Sequence, residues 1–369
     1  MENQIKELTI LLTKCWEEVA SLKEQNQQHE LQITAMKQTF QLFSNSINEI
    51  IHALNQLEAT ESEHYQIALS RSEYLNNAIA NLKYEFFAPN FNTTDFFYPH
   101  IEDSFITIDK IIKERKSIAR FGDGEFGIMM NVNRQKFQKY NAHLSVRLQE
   151  VIHCEHPNLL IGIANNYGDL QQYTEQAARG IRMYMTDEVR RAHQMFLDST
   201  RTYYDAYMSR PYVLYKDNQT DAPQKRFEHL QQIWQDRDII FIEGALSRLG
   251  VGNNLFDNAR SIKRILAPAT DSFDKYNDIL EAALQYASYD TLFLLAVGPT
   301  ATVLAHDLCL NGYQAVDIGH VDIEYEWFLQ GNGNRCPVKT KYNNEFVGGD
   351  IVDSIDDPTY TAQILCSFA

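Results

Sequence analysis

The stretch SIARFGDGEFGIMM, residues 117–130, joins a short apolar run to two acidic residues that alternate with glycines. The run SIARF is typical of a buried strand. Asp123 and Glu125 follow it, and Gly122 and Gly124 lie on either side of Asp123. A simple turn needs glycine but does not need two carboxylates. The rest of the chain must therefore decide between a turn, a nucleotide-binding loop and a metal site.

Similar apolar runs recur from about residue 100 onward and alternate with stretches of helical spacing. Several runs are continuous, which is typical of strands that helices cover on both faces. They predict a Rossmann-like, doubly wound α/β domain with a mainly parallel sheet, whose ligands lie at the carboxyl ends of the strands. The predicted strands are SIARFG (117–122), NLLIGIA (158–164), DIIFIEG (238–244), IKRILAP (262–268), TLFLLAV (291–297) and AVDIG (315–319).

The N-terminal part follows a different pattern, because the first 88 residues contain neither glycine nor proline. On a heptad register that begins at Ile5, only Asn26 and His29 interrupt the apolar a and d positions as far as Leu57. This repeat predicts a long α-helical coiled coil, and a single Asn at position a favours a dimer. The alternative is a helical hairpin packed on the next domain.

The composition is that of a globular protein, with 44% hydrophobic and 22% charged residues. We expect an oligomerisation region over residues 1–88 and an α/β domain over residues 89–369. The net charge of −16 argues against nucleic-acid binding, which needs an excess of Lys and Arg. No apolar run reaches the roughly 20 residues of a membrane span, and the N-terminus lacks a signal peptide. The scattered cysteines predict reduced thiols in a cytoplasmic protein.

The acidic pair after the first strand suits a metal site. If the backbone stays extended, Asp123 and Glu125 face the same way and can share one cation. Oxygen ligands suit Mg²⁺ or Mn²⁺, which keep positions open for substrate phosphates. Two alternatives remain open on spacing alone. One is a turn with a solvated Glu, and the other is a methyltransferase-like loop built on Gly122, Gly124 and Gly127.

The loop after strand 238–244 carries polar groups suited to an anion. It reads EGALSRLGVGNN, and a helix is expected to follow it. Backbone N–H groups of such a loop can hold a phosphate, and the Arg248 guanidinium would add a bidentate contact. A G-x-G pair alone is weak evidence for dinucleotide binding. The residues expected to contact the anion are Ser247, Arg248, Gly250, Gly252 and Asn253.

Polar residues also follow the last two predicted strands. Thr300 lies in GPTATVLA, where either an anion site at a helix N-terminus or a plain turn is expected. His320, Asp322 and Glu324 alternate in DIGHVDIEYEWF, so an extended backbone would put them on one side. His320 is a candidate metal ligand or diphosphate contact, and Asp322 or Glu324 a candidate general base. Arg210, which precedes a proline, is a further anion contact.

The segments RFGDGE, SRLGVGN, GPTATVLA and DIGHVDIEYEW, in this order, resemble the glycosyltransferases of the GT-D fold. The resemblance covers roughly residues 100–365 and leaves out the helical N-terminus. It implies that the D-x-E motif, Asp123 and Glu125, holds a divalent metal that bridges the diphosphate of a UDP-sugar. It also implies donor binding by the loop that starts at Ser247, with Arg120 of RFGDGE as a further contact and KYNNEF (341–346) closing over the site.

The resemblance implies Mn²⁺- or Mg²⁺-dependent transfer of a hexose from a UDP-sugar to a hydroxyl of a glycan or glycoprotein. The charge that must be stabilised develops on the departing diphosphate. An inverting enzyme would also need a carboxylate base, whereas a retaining enzyme would not need one in the same place. The coiled coil predicts a homo-oligomer. The alternatives are a nucleotide-cofactor enzyme such as a methyltransferase, which would bind without metal, and a non-catalytic coiled-coil scaffold.

Overall fold

The computed structural model describes residues 2–57, 68–72, 74–76, 78–79, 84, 97–132, 137–343, 345 and 348–369. The chain divides into two compact units, Met1–Leu82 and Lys83–Ala369. The first unit contains helix α1, Glu2–Leu57, which confirms the long N-terminal helix. The pairing of this helix in a coiled coil stays a prediction.

Most of the predicted seam of α1 is apolar and exposed in the single chain, whereas Ile47 at a later a position is buried. Leu8, Leu12 and Leu22, at its d, a and d positions, are 63%, 56% and 62% exposed. Helices are stabilised mainly by packing an apolar face and only weakly by intrinsic propensity. The seam is therefore a surface on which a further helix would pack.

The second unit is built on one sheet of nine strands, all paired in parallel. The strands are β1 (His100–Glu102), β2 (Ser117–Phe121), β3 (Leu159–Ile163), β4 (Thr202–Asp205), β5 (Asp238–Gly244), β6 (Ser261–Ala267), β7 (Leu292–Ala296), β8 (Gln314–Asp317) and β9 (Ile364–Ser367). Their order is β1-β4-β3-β2-β8-β7-β5-β6-β9. The sheet confirms the predicted α/β class, and each of the six predicted strands is present.

Three strands were not predicted. β1, β4 and β9 have only three or four residues each. Such short segments do not form a distinct apolar run, so the pattern that identifies buried strands is absent from them. They extend the sheet at its two ends without changing its class.

Helices cover both faces of the sheet. α2 (Ser104–Lys113), α7 (Ala222–Gln231) and α10 (Val321–Gln330) pack on one face, and α4 (Ala142–Ile152), α5 (Glu175–Tyr184), α8 (Tyr276–Tyr286) and α9 (Pro299–Leu310) on the other. The remaining helices are α3 (Asp123–Met129), α6 (Asp187–Gln194) and α11 (Pro358–Gln363). Within the described ranges, no helix has the length and apolar content needed to cross a membrane.

The chain leaves the neighbouring strands β2 and β8 toward opposite faces of the sheet. α3 follows β2 and packs into the same core as α4 and α9, whereas α10 follows β8 and packs into the core on the opposite face. Two adjacent strands whose following helices leave toward opposite faces open a crevice at the carboxyl edge of a parallel sheet. The D-x-E motif and the DIGH segment lie at this crevice.

Candidate functional site

A cavity of about 640 Å³ opens at the carboxyl edge of the sheet. Residues that follow six neighbouring strands line it. Because neighbouring strands lie about 4.8 Å apart, the six strands extend over about 24 Å. These residues are Tyr207 after β4, Asn166 after β3, Asp123 after β2, His320 after β8, Gly298 after β7 and Ser247 after β5. The cavity can therefore hold a ligand of several parts, with the D-x-E motif near its middle.

The D-x-E residues begin helix α3 and do not continue strand β2, so the expectation of an extended backbone was wrong. Asp123 is the first helical residue, and Oε2 of Glu125 accepts a hydrogen bond from the Gly122 N–H at 2.7 Å. A Glu at the third helical position commonly folds back in this way to satisfy a free N–H group. Both acids line the cavity even though a helix turns the chain between them.

Asp123, Glu125 and Asp317 all line the cavity at the crevice. The Asp317 carboxylate pairs with Nη2 of Arg120 at 2.6 Å. Burial, with smaller contributions from the Asp317 and Asp123 charges, raises the pKa of Glu125 to about 7, although backbone hydrogen bonds act in the opposite direction. Negative charge is thus concentrated at this point, and a divalent cation would offset it.

The two acids fit a magnesium or manganese ion that is completed by substrate. In the described part of the chain, no three His, Cys, Asp or Glu side chains are grouped as a metal cage. Mg²⁺ is usually held by one or two carboxylates while phosphates and waters supply the other ligands. The ring of His320 is in contact with protein groups, since its Nδ1 lies 3.4 Å from Nη2 of Arg210 and its Nε2 lies 3.1 Å from Oε1 of Glu345. A role for His320 as a third ligand therefore stays a prediction.

Arg120 lines the cavity but uses most of its donors within the protein. Its Nε donates to the Asp317 carbonyl at 2.7 Å, and Nη1 donates to Oγ of Ser209 at 2.6 Å and to the Ala206 carbonyl at 3.1 Å. A Cβ at Gly319, where φ is +43°, would lie 2.1 Å from Nη2 of Arg120, so glycine is required there. Arg120 thus holds the ends of β2 and β8 and the segment after β4 in place.

A second charged cluster lies beside the acids. Oε1 of Glu345 accepts from Nη2 of Arg210, and its Oε2 lies 2.7 Å from Nε of Arg335. Burial and the Arg210 charge lower the pKa of His320 to about 3, so this imidazole is neutral. Nη1 of Arg210 is buried and makes no hydrogen bond within the described residues. Arg210 therefore lines the cavity, while its buried Nη1 lies 3.8 Å from Oε1 of Glu324, and its contact with an anionic ligand stays a prediction.

The loop after β5 brings Ser247 and Leu249 to the cavity, and Ser247 is the one of its predicted anion contacts found there. Ser247 lines the cavity, whereas Arg248 and the three residues predicted with it do not appear among the described lining residues. Nη1 of Arg248 donates to the carbonyls of Thr340 at 2.8 Å and Asp353 at 2.7 Å. Arg248 therefore fastens the C-terminal segment to the domain and does not reach a phosphate in the cavity. The other three residues are Gly250, Gly252 and Asn253.

Arg248→Ala is expected to lower the free energy of unfolding by about 1–3 kcal/mol, because two carbonyls lose a charged donor. Denaturant unfolding would measure this loss. The matched control is Arg260→Ala, since the Arg260–Asp238 pair at 2.8 Å is about half exposed and such pairs stabilise a protein by less than about 1 kcal/mol. Unchanged stability together with weaker UDP binding would instead support the phosphate contact that the sequence predicts.

Asp322 reaches the cavity but is held by three hydrogen bonds. Its Oδ1 accepts from the Gly250 N–H at 2.8 Å and from Nδ2 of Asn253 at 2.9 Å. Its Oδ2 accepts from Nζ of Lys341 at 2.7 Å, and Asp322 and Lys341 are both almost fully buried. The extended segment predicted here is in fact the first turn of α10. Asp322 therefore joins the β5 loop to the C-terminal segment, a role that leaves it poorly suited to act as a base.

Glu324 does not line the cavity within the described residues. It is fully buried, and its Oε2 accepts from the N–H groups of Tyr212 at 3.1 Å and Val213 at 2.9 Å. Burial raises its pKa to about 7, and Nη1 of Arg210 lies 3.8 Å from its Oε1. Glu324 thus positions Arg210 and the chain after it, and the structure does not place it where an acceptor hydroxyl would lie.

An aromatic wall closes the cavity on the side of β7 and β5. The rings of Phe137 and Tyr342 lie 5.8 Å apart, and both residues line the cavity. A Cβ at Gly298, where φ is +57°, would lie 2.5 Å from the Phe137 ring, so glycine permits this approach. Thr300 was predicted as an anion contact, but it is fully buried, its hydroxyl lies 3.5 Å from Oε1 of Gln138, and it is not among the described lining residues.

The sequence patterns missed most of one side of the cavity. A face of α5 lines it, as do residues from the loops after β3 and β4. Apart from Arg210, which follows β4 and was predicted, these residues are neutral, so no charged motif marks them. In contrast, KYNNEF was expected to close over the site, and Lys341, Tyr342, Asn343 and Glu345 do line it. Position 346 of that segment lies outside the described residues, as does position 344.

Comparisons with known proteins agree with the geometry. The family model described as the glycosyltransferase GT-D fold matches residues 118–346, which confirms the resemblance. A glycosyltransferase of the domain of unknown function 1792 from Streptococcus sanguinis superposes with a TM-score of 0.69 at 32% identity, covering 74% of this chain and 100% of that structure. A second structure, described as domain 1792 with a distinct glycosyltransferase fold, has a TM-score of 0.68 at 31% identity, covering 73% and 95%.

Two curated relatives carry glycosyltransferase names. The probable glycosyl transferase Gly of Streptococcus gordonii is 34% identical over 264 residues, which are 71% of this chain and 38% of that protein. Glycosyltransferase GlyD of Streptococcus pneumoniae serotype 4 is 35% identical over 260 residues, which are 70% of this chain and 31% of that protein. The chain therefore spans about a third of the length of these relatives.

Proposed function

The chain belongs to the glycosyltransferases of the GT-D fold, and we propose that it transfers a hexose from a UDP-sugar to a hydroxyl of a glycan or glycoprotein in a reaction that needs Mn²⁺ or Mg²⁺. The observation that carries the proposal is the pair Asp123 and Glu125 at the crevice between β2 and β8. The raised pKa of Glu125 supports a cation at this place. The family gives the class of reaction, and the donor, metal and acceptor are the proposed parts.

Asp123 and Glu125 would hold the divalent cation. When bound, it would supply Lewis-acid stabilisation of the negative charge on the departing diphosphate. Arg210, which lines the cavity, would place its positive charge beside the same diphosphate. Arg120 would keep Asp317 beside the acids through its pair at 2.6 Å, so the strand ends stay in place during the reaction.

The aromatic wall formed by Phe137 and Tyr342 would contact the uracil base. Aromatic rings favour flat apolar partners, and the neighbouring Gln138 supplies an amide that can pair with a base edge. This wall lies on the β7–β5 side, so the donor would extend from there toward Asp123 near the middle of the cavity. Ser247, the polar lining residue of the β5 loop, would contact the same half of the donor.

UDP binding is expected to require the metal. Calorimetric titration of UDP into the full chain should give saturable binding in Mn²⁺ and none in EDTA, because two of the groups facing the diphosphate are carboxylates that repel it without a cation. Equal binding in both buffers would overturn the metal dependence. No binding in either buffer would overturn the UDP-sugar as donor.

We also propose that α1 pairs with α1 of a second chain as a parallel, in-register coiled coil. The exposed seam supports a helical partner, and Asn26 at position a favours a dimer because two amides pair in one register. In this register Glu18 at position g lies beside the partner's Lys23 at position e, which adds an attractive contact on each side. The coiled coil would then join two copies of the second unit in one dimer.

A further inference from the structure

We infer that the side of the cavity formed by α5 and the loops after β3 and β4 receives the acceptor, and that it takes an uncharged sugar unit. The inference rests on the proposed transferase function, because it assigns the second substrate of the same site. Among the described lining residues of this side, Arg210 after β4 is the charged one, and the α5 face is neutral.

One stripe of α5 lines the cavity. Its residues are spaced by three or four positions or are direct neighbours, so they share a helix face. None is charged, and the basic residues of the helix, Arg179 and Arg182, do not appear among the described lining residues. Amide, phenol and small apolar groups suit the hydroxyls and ring faces of a sugar better than a phosphate. The stripe consists of Gln176, Ala177, Gly180, Ile181 and Tyr184.

The loops beside α5 supply polar groups of the same neutral kind. Asn166 after β3 is 5% exposed, and its Oδ1 makes no hydrogen bond within the described residues. A buried acceptor without a donor is costly, and a sugar hydroxyl would supply the donor. Tyr207 after β4 lines the cavity with it. The Tyr184 hydroxyl lies 3.1 Å from Nε2 of His193, and the His193 ring stacks on Phe126 of α3. These contacts fix the position of the α5 stripe relative to α3, the helix that begins with the D-x-E motif.

The order of the strands separates the two substrates. The aromatic wall lies on the β7–β5 side, Asp123 follows β2, and α5 follows β3. A donor whose base contacts the wall and whose diphosphate lies at Asp123 leaves its sugar facing the β3–β4 side. An acceptor hydroxyl must approach that sugar from the free side, which is the side of α5.

Gly180 allows a direct test. A Cβ built there meets no atom within 4 Å, and the residue lies in a helix, so Gly180→Phe fills the cavity without strain. Met183→Phe is the control, since Met183 lies on the same helix, is 68% exposed and is not among the described lining residues. Three properties of the full-length variants are measured. The first is UDP binding in Mn²⁺, and the second is the release of UDP in water alone from UDP-glucose, UDP-galactose and their N-acetylated forms. The third is the increase in UDP release on addition of p-nitrophenyl glucoside, galactoside, N-acetylglucosaminide or rhamnoside.

We expect Gly180→Phe to lower glycoside-stimulated release at least tenfold while UDP affinity and release in water stay within twofold of wild type. Met183→Phe should match wild type in all three. Equal loss of UDP affinity in Gly180→Phe would place the donor beside α5 and overturn the inference, as would unchanged stimulation. If the wild type binds UDP but no glycoside stimulates its release of UDP, the assignment of the acceptor as a sugar is overturned. If the wild type does not bind UDP, the proposed function itself is overturned.

Discussion

Asp123→Asn is expected to lower sugar transfer by about 10²–10³-fold and to abolish the Mn²⁺-dependent part of UDP binding. The estimate follows because a cation at a leaving diphosphate contributes several kcal/mol to the transition state, and each 1.36 kcal/mol is a factor of about ten in rate. The amide keeps the size of the side chain but loses the charge that holds the cation. Transfer assays and calorimetry on the full chain would measure both effects.

The fold should survive this substitution, so the loss can be assigned to the site. Asp123 is the first residue of α3, where an acidic side chain contributes about 0.3–1 kcal/mol to the helix. A loss of about 1 kcal/mol shifts the melting temperature of a domain of this size by about 2–4 °C. Glu125→Gln should behave alike, because an amide oxygen can still accept from the Gly122 N–H, which lies 2.7 Å from Oε2 of Glu125.

The control for Asp123→Asn is Asp290→Asn. Asp290 precedes β7 at the opposite edge of the sheet, and its carboxylate is 57% exposed and lies 3.5 Å from Nη1 of Arg115. The same chemical change there should leave transfer and UDP binding at wild-type values. Full activity in Asp123→Asn would show that the metal site is elsewhere. Equal losses in both variants would point to a general effect of charge.

The central strands were predictable because their environment leaves a strong mark on the sequence. β5 matches the predicted segment 238–244 residue for residue. A strand covered by helices on both faces is mostly apolar, as IIFI in β5 is, so the run and the strand coincide. β1 at the edge of the sheet has three residues and a partly exposed face, so no such requirement acts on it. Fully buried strands were therefore predicted, whereas short strands that are only partly buried were missed.

The candidate site was harder to predict, because spacing fixes direction only when the backbone conformation is known. Asp123 and Glu125 were placed together by assuming a strand, and Asp322 and Glu324 by the same assumption. Both segments begin helices. A Glu at the third position before an apolar run is itself a helix N-terminus signal, so the first error could have been avoided. The acids at the D-x-E motif still meet because Glu125 folds back toward Gly122.

Long-range partners explain the other differences. Arg248 contacts the carbonyls of Thr340 and Asp353, far along the chain. Asp322 is paired with Lys341 in a buried contact at 2.7 Å. A sequence pattern marks such residues as polar and loop-borne, and it contains no information on whether their partner is a ligand or another part of the protein. Neutral lining residues such as Gly180 have no mark at all.

The full-length chain is expected to be a dimer in solution that becomes a monomer when its seam is charged. Leu12→Glu with Leu22→Glu puts four carboxylates into the a and d layers of a two-stranded coiled coil, where burial of charge is strongly unfavourable. Light scattering would measure the mass. The matched control is Ala20→Glu with Ser21→Glu, at positions b and c, which should stay dimeric. Deleting residues 1–88 is less informative, because it also removes Tyr84, which is buried in the catalytic unit.

Cys15 tests the direction of the two helices. It occupies a d position and is exposed in the single chain. In a parallel, in-register dimer it faces the partner's Cys15, so a short bismaleimide should give a covalent dimer, and Cys15→Ser should not. Moving the thiol to the outer face with Cys15→Ser and Thr13→Cys should also abolish the product. A dimer by light scattering without cross-linking through Cys15 would indicate antiparallel helices. A monomer would contradict the proposal that α1 pairs with α1 of a second chain.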